Sequence, residues 1–141
     1  MKLFELKKIQ SEFPNVKVTS SNDAYSLIKQ FYGDDIDVFE SFFILLLNKA
    51  NRTIGYAKIS QGGVSSTIAD IKIISKYVID SLASGVILCH NHPSNNLEPS
   101  DIDKKLTKNI KDIMKILDVQ LLDHLIISRD GYLSMADEGL L

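Results

Sequence analysis

The stretch ILCHNHPSNNLEPSDID, residues 87–103, carries metal-binding side chains at short, fixed intervals. One residue separates His90 from His92. Seven residues then precede Ser100, and two more precede Asp103. Imidazole nitrogens and carboxylate oxygens are ordinary zinc ligands, and catalytic zinc sites combine three protein ligands with a fourth position open to water. The two histidines and the aspartate therefore predict an open zinc site.

The elements predicted around this stretch can bring the three ligands together. The apolar run GVILCH (85–90) is typical of a short buried strand. Alternate residues of an extended chain point to the same side, so that His90 and His92 can converge. Ser100 is a good N-cap for a following helix, which places Asp103 in the first turn, where it can face both histidines.

Each part of the pattern also has a simpler interpretation. Two histidines with one intervening residue are often surface or hydrogen-bonded residues, and Ser100 with Asp103 could be only a capping pair. The combination of both at a strand-to-helix junction is far more specific, and it favours metal binding.

The rest of the chain alternates predicted helices and strands. A first helix is predicted over 19–32, and the other strands are predicted at 42–49, 53–60 and 119–128, with a last one after the Asp130-Gly131 turn. A second helix is predicted with Ser66 or Thr67 as its cap, Gly85 at its end, and an inner stripe of Ile68, Ile71, Ile74, Val78 and Leu82. The helix after Ser100 has a predicted inner stripe of Ile102, Leu106, Ile110, Ile113 and Leu117. The order predicts an α/β fold, with helices packed on one mixed sheet that opens with a hairpin.

The composition is that of an ordinary soluble domain. The 141 residues include 45% apolar and 24% charged side chains, and 16 basic against 18 acidic residues give a net charge of −2. This balance provides no strong field for nucleic acid or for an acidic lipid surface. The single cysteine excludes an internal disulfide and a zinc site made only of cysteines. The sequence shows neither an apolar run of roughly 20 residues nor a recognisable signal peptide. We therefore predict a single cytoplasmic domain with no membrane partner.

The motif residues give the sequence a resemblance to a known family. The spacing His-x-His-x7-Ser-x2-Asp matches the JAMM (JAB/MPN+) metalloprotease motif, and the runs HNHPS, PSDID, DHLIIS and ADEGLL resemble the RadC-like JAB domain of bacteria. The resemblance implies a cytidine-deaminase-like α/β/α sandwich around a mixed β-sheet. It also implies that the RadC-like JAB domain covers 20–141 and that 1–19 form an N-terminal extension. The chain would then be a short form without the helix-hairpin-helix region of longer RadC proteins.

The resemblance also implies a reaction. JAMM enzymes require a glutamate well upstream of the histidines, and the matching position is Glu40 in VFESFFILLLN (38–48). Without the motif, this residue would equally well be a charged lead-in to a strand. One zinc ion per chain would lower the pKa of its water toward ~7, and Glu40 would pass a proton from that water to the leaving amine. With Ser100 steadying the tetrahedral oxyanion, the expected reaction is hydrolysis of a peptide or an isopeptide amide.

Several other features invite chemistry that the sequence does not support. The letters HNH (90–92) name a nuclease motif whose residues are dispersed, and a zinc deaminase would need more than one cysteine. Cys89 points away from its neighbouring histidine in a strand, so we expect a buried core thiol. We expect His124 to be a packed, hydrogen-bonded histidine rather than a fourth ligand. The run QGGVSS (61–66) is expected to be a turn that borders the substrate groove.

Two classes of function stay open from the sequence. The first is the zinc hydrolase, acting on a peptide or protein segment that lies extended along the edge of 53–60, as JAMM enzymes suggest. The second is a non-catalytic interaction module associated with DNA, as the DNA repair label of RadC implies. The acidic balance gives no support to non-specific DNA binding. The complete ligand set and Glu40 favour the enzyme, because inactive MPN domains typically lack ligands.

Overall fold

The computed structural model describes residues 13–62 and 69–141. Within these ranges the chain forms three α-helices and five β-strands. In chain order they are α1 (Ser21–Ile28), β1 (Ser41–Leu47), β2 (Thr53–Gln61), α2 (Ile71–Ser81), β3 (Gly85–Asn91), α3 (Asp101–Ile116), β4 (Gln120–Ile127) and β5 (Tyr132–Ser134). None of the helices in these two ranges has the length and apolar character needed to cross a bilayer.

The strands form one mixed sheet in the order β2-β1-β3-β4-β5. β1 is antiparallel to both of its neighbours, β3 and β4 are parallel, and β5 returns antiparallel to β4. β3 therefore lies at the centre, and all of its residues are buried, as expected for a strand covered on both faces. The predicted α/β fold with a mixed sheet is confirmed, and so is the hairpin of β1 and β2.

Helices cover both faces of the sheet because the strand side chains alternate between two apolar layers. One layer packs under α2 and α3, through buried residues such as Ile74 and Ile110. The other layer packs under α1, through Leu27 and Ile28. The arrangement is the α/β/α sandwich that the resemblance implied.

The segment before α1 also lies against the sheet. Val18 is buried, and its N–H donates to the carbonyl of Asn51 (2.9 Å) in the turn that leads into β2. The division of the chain between 1–19 and 20–141 stays a prediction.

α2 begins later than the sequence predicts. Its N-cap is Asp70, whose side chain accepts hydrogen bonds from the N–H groups of Lys72 and Ile73. The predicted caps, Ser66 and Thr67, lie outside the described residues, as does most of the predicted QGGVSS turn. Asp70 itself is not helical, so the predicted start is wrong. A carboxylate that satisfies two open N–H groups of the first turn explains why the helix begins here.

Two other helix predictions need correction. α2 already ends before Leu82, which adopts a left-handed conformation (φ 53°), and Gly85 instead opens β3. α3 begins after its predicted cap, but Ile102 is 79% exposed, and the buried face runs through Thr107 and Ile110. At 3.6 residues per turn, Ile102 lies about 140° around the helix from Thr107, too far to share its face.

Candidate metal centre

The predicted histidines lie at the carboxyl end of β3, where α3 begins. Leu88 belongs to the layer under α2 and α3, whereas Cys89 belongs to the layer under α1. Strand alternation therefore places His90 on the α2 and α3 side. The chain stays paired just beyond the strand, because the His92 N–H donates to the Ile127 carbonyl (3.0 Å). Both imidazoles thus project from a rigid part of the sheet.

The first turn of α3 supplies the carboxylate. Ser100 accepts a hydrogen bond from the Asp103 N–H (3.0 Å), and the Asp103 carboxylate accepts one from the Ser100 N–H (2.9 Å). This reciprocal capping box orients the Asp103 side chain. One carboxylate oxygen lies 3.3 Å from His90 Nε2, and the other lies 3.3 Å from His92 Nε2. The capping pair and the convergence on the histidines are therefore one arrangement, not alternatives.

The spacing of these atoms fits a tetrahedral metal ion. Zinc lies about 2.0–2.2 Å from imidazole nitrogen and carboxylate oxygen, so two ligand atoms at corners of a tetrahedron are about 3.3 Å apart. The two Nε2 atoms are 3.0 Å apart, and each lies 3.3 Å from a carboxylate oxygen of Asp103. Two nitrogens and one oxygen form a donor set that suits zinc better than the oxygen-seeking ions magnesium and calcium.

Glu40 brings a second carboxylate to the same place. It directly precedes β1, and its carbonyl accepts a hydrogen bond from the Gly62 N–H (2.8 Å) at the end of β2. Ligand atoms of Glu40, His90 and His92 all lie within 4.8 Å of one another and form a group that could hold a metal ion. This group shares both imidazoles with the Asp103 set but does not itself include Asp103.

Mutual contacts set the charges in the cluster. Burial alone would raise the pKa of the Asp103 carboxyl, but hydrogen bonds from His90 and His92 outweigh it and hold the pKa well below its usual range. Asp103 is therefore ionised at neutral pH. In return, the hydrogen bond that Asp103 accepts from the His92 imidazole raises the pKa of His92, against the opposing effect of burial. A divalent cation would replace the proton that this carboxylate attracts to the imidazole.

Asn91, between the two histidines, fixes the segment that carries Glu40. Its side chain is completely buried and accepts a hydrogen bond from the Ser41 N–H (2.7 Å). Its amide group donates to the carbonyls of Ile36 (2.7 Å) and Phe39 (2.8 Å). The three bonds bracket Glu40 on both sides, so one residue of β3 sets the position of the second carboxylate relative to the histidines.

The Asn91→Ala variant is expected to lower the free energy of unfolding by about 2–4 kcal/mol. Three backbone groups lose their partner, two of them in buried contacts and one in a part-buried contact. Each unsatisfied buried group costs roughly 1–3 kcal/mol, part of which water entry recovers. Urea denaturation followed by circular dichroism measures the change. Asn109→Ala, on the exposed face of α3, is the matched control and should stay within about 0.5 kcal/mol of the wild type. An equally small change for Asn91→Ala would contradict this role.

Cys89 lies away from the site, as predicted. It is fully buried in the layer under α1, and its Sγ lies 4.0 Å from the Tyr32 hydroxyl. Burial raises the pKa of the Cys89 thiol to about 12. The thiol is therefore protonated at neutral pH, and the prediction of a core cysteine is confirmed.

His124 is buried and hydrogen-bonded, also as predicted. Its Nε2 lies 2.8 Å from His90 Nδ1, and its Nδ1 lies 2.6 Å from the Thr107 hydroxyl. Burial, followed by the nearby His90, holds the pKa of His124 well below its usual value. Thr107 and Asn91 are functional residues that were not predicted from the sequence. A threonine four residues after Asp103 shares its helix face, and an amide within a buried strand needs partners, so both signals were present.

Comparison with protein families identifies one that covers nearly all of the described chain. The model of the RadC-like JAB domain matches residues 18–140. The match includes Glu40, both histidines, Ser100 and Asp103. It therefore spans every residue of the candidate site.

Curated bacterial proteins show the same relationship. A UPF0758 protein of Flavobacterium johnsoniae is 45% identical over 124 residues, which are 88% of this chain and 53% of the relative. The corresponding protein of Porphyromonas gingivalis is 43% identical over 125 residues, 88% of this chain and 54% of its own length. A UPF0758 protein of Clostridium acetobutylicum is 34% identical over 141 residues, 99% of this chain and 60% of the relative. The chain spans about half the length of the first two.

Proposed function

The chain belongs to the RadC-like JAB domain family, and we propose that it is a zinc-dependent hydrolase that cleaves a peptide or an isopeptide amide bond. The observation that supports the proposal best is the convergence of His90, His92 and Asp103: the two Nε2 atoms are 3.0 Å apart, and each lies 3.3 Å from a different carboxylate oxygen of Asp103. A carboxylate oxygen of Glu40 lies within 4.8 Å of ligand atoms of both imidazoles. Three ligands and a nearby second carboxylate form the arrangement of an open catalytic zinc site.

Glu40 and Ser100 have separate tasks in the proposed reaction. Bound zinc would lower the pKa of a water molecule toward ~7 and polarise the amide carbonyl. Glu40 takes one proton from the attacking water as the new C–O bond forms. It then delivers that proton to the amide nitrogen, so that the C–N bond breaks and a neutral amine leaves. The carboxylate is regenerated in the same cycle.

Ser100 would stabilise the charge that develops on the carbonyl oxygen. Its hydroxyl accepts the hydrogen bond from the Asp103 N–H (3.0 Å), which occupies a lone pair and not the hydroxyl proton. The same residue thus orients a ligand with its lone pair and offers its proton to the oxyanion. This double use supports the assignment of Ser100 as a catalytic residue.

An extended segment of the substrate fits the edge of the sheet at β2. β2 ends the strand order, and the bridge between Lys17 and Arg52 lies just before its start. Its other end leads to the site, since Gln61 pairs with Ser41 directly after Glu40. A peptide that adds to this edge by main-chain hydrogen bonds would be directed toward the cluster.

A substrate screen tests the proposed function. Zinc-loaded protein is incubated with a mixture of unstructured peptides and with lysine isopeptide conjugates, and mass spectrometry detects new amine and carboxyl ends. The wild type should cleave members of at least one class, and the Asp103→Ala variant should cleave none. Asp101→Ala, which removes an exposed aspartate of the same helical turn, is the control and should stay active. Zinc-loaded wild type that cleaves neither class, yet binds duplex DNA at physiological salt, would favour the non-catalytic module instead.

A further inference from the structure

A continuous chain of hydrogen bonds leads from His90 into the interior. His90 Nδ1 lies 2.8 Å from His124 Nε2, and His124 Nδ1 lies 2.6 Å from the Thr107 hydroxyl. The Thr107 hydroxyl in turn lies 2.7 Å from the backbone carbonyl oxygen of Asp103. Thr107 is 2% exposed and His124 is 0% exposed, so no bulk water competes for these contacts. The chain joins the ring of one proposed ligand to the backbone of another.

The contact between the Thr107 hydroxyl and the Asp103 carbonyl determines where each proton of this series of hydrogen bonds lies. A carbonyl oxygen carries no hydrogen, so a separation of 2.7 Å requires the Thr107 hydroxyl to donate to Asp103. Threonine commonly makes this bond to the residue four positions earlier in a helix. Having only one proton, the hydroxyl must accept from His124 Nδ1–H. A neutral His124 then has a bare Nε2, which accepts from His90 Nδ1–H. In a neutral His90 ring, Nε2 is therefore the nitrogen without a proton.

The opposite assignment is unfavourable at its Thr107 end. If Thr107 donated to His124, its oxygen and the Asp103 carbonyl would face each other without a hydrogen between them. His90 Nε2 would then carry a proton, which would donate to the Asp103 carboxylate 3.3 Å away and block this nitrogen for a metal ion. A doubly protonated His124 would place a charge on a fully buried ring that, among the described residues, contacts His90 and Thr107 but no carboxylate, which makes this state costly.

The rings cannot rotate easily to exchange their nitrogens. The Phe42 ring lies parallel to the His90 ring, with centroids 5.8 Å apart and an interplanar angle of 5°. It meets the His124 ring edge-on, with centroids 5.6 Å apart. Packing therefore keeps Nδ1 of His90 toward the interior and Nε2 toward the site.

We propose that Thr107 and His124 are positioning residues that hold His90 in the tautomer whose Nε2 has no proton and can bind a metal ion. The inference rests on the proposed function only for the metal, since the tautomer is a property of the metal-free chain. If His124 served only to fill the core, its ring would not need a hydrogen bond to His90, a proposed metal ligand. Partners of this kind commonly change metal affinity by about 10–100-fold when removed.

The first test is the state of the rings in metal-free wild-type protein. The chain has only three histidines, so long-range nitrogen–proton NMR spectra contain three ring systems, assigned with the His124→Gln and His92→Gln variants. We expect the proton of His90 and that of His124 to lie on Nδ1. A proton on His90 Nε2 would overturn this inference alone and leave the proposed hydrolase standing.

The second test measures zinc affinity by competition with a chromophoric chelator. Thr107→Val keeps the shape but removes the hydroxyl, and it should weaken zinc binding about 10–100-fold and mix the tautomers of His124. Thr107→Ser restores the hydroxyl and should return affinity to within about threefold of the wild type. Ile110→Val, which loosens the same helix at a fully buried position, controls for general destabilisation and should leave affinity unchanged.

Each other outcome is informative in the affinity test. A Thr107→Val variant that binds zinc as tightly as the wild type would overturn the inference. Thr107→Ser and Ile110→Val variants that lose as much zinc affinity as Thr107→Val would also overturn it. A wild-type protein that binds no zinc would instead overturn the proposed function, and the NMR result would still decide the tautomer.

Discussion

Replacing both histidines, in a His90→Ala/His92→Ala variant, is expected to reduce bound zinc from about one ion per chain to background. In the proposed site the two Nε2 atoms, 3.0 Å apart, are two of the three ligand atoms, and each lies 3.3 Å from a carboxylate oxygen of Asp103. Only the carboxylates of Asp103 and Glu40 would remain, and an open site with three protein ligands has no spare donor. Affinity should fall by more than the ~100-fold that loss of an outer partner can cost. Elemental analysis after dialysis measures the zinc content.

Two comparisons make this result specific. Asp103→Ala should also lose zinc, whereas Asp101→Ala, two residues earlier and exposed, should keep it. Circular dichroism should show a folded chain in every case, because the apolar layers on both faces of the sheet form without the metal. Undiminished zinc in the double variant would show that His90 and His92 are not the ligands.

The parts of the site that the sequence predicted are those made by short-range geometry. Ser100 and Asp103 are three residues apart, and a helix start brings them together through one capping box. His90 and His92 share a side because the chain is extended there. The convergence of the two groups needs only the loop between β3 and α3. Glu40 lies 50 positions before His90 and was predicted from the family resemblance alone. Similarly, the continuous burial of β1 and β3 follows from their apolar runs.

The parts that the sequence did not reveal depend on contacts between distant residues. Asn91 bonds to backbone groups 50 to 55 positions earlier in the chain. Thr107 meets His124 across 17 positions, and His124 meets His90 across 34. No local period encodes such partners, since they depend on which strands become neighbours in the sheet. The start of α2 was missed for another reason: several polar residues compete as caps, and the Asp70 carboxylate is the one that bonds two N–H groups.

Glu40→Gln is expected to keep zinc and fold normally but to lose amide hydrolysis by at least ~10²-fold, the lower range for a positioned general base. Glutamine has the size of glutamate and fits the segment that Asn91 fixes, so the position of the side chain is preserved. It cannot take a proton from water at neutral pH, so proton transfer to the leaving amine also fails. The measurement is turnover of any substrate found in the screen, with zinc content determined in the same samples.

The matched control is Glu98→Gln, which makes the same change at an exposed position in the loop between β3 and α3. It should retain wild-type turnover, so that any loss in Glu40→Gln reflects the site rather than the change in charge. Full activity in zinc-loaded Glu40→Gln would exclude Glu40 as the general base. Loss of zinc from that variant would instead make Glu40 a ligand, consistent with its place within 4.8 Å of both imidazoles. The proton would then have to pass through another group, and Asp103, with its strongly lowered pKa, is too weak a base to accept it.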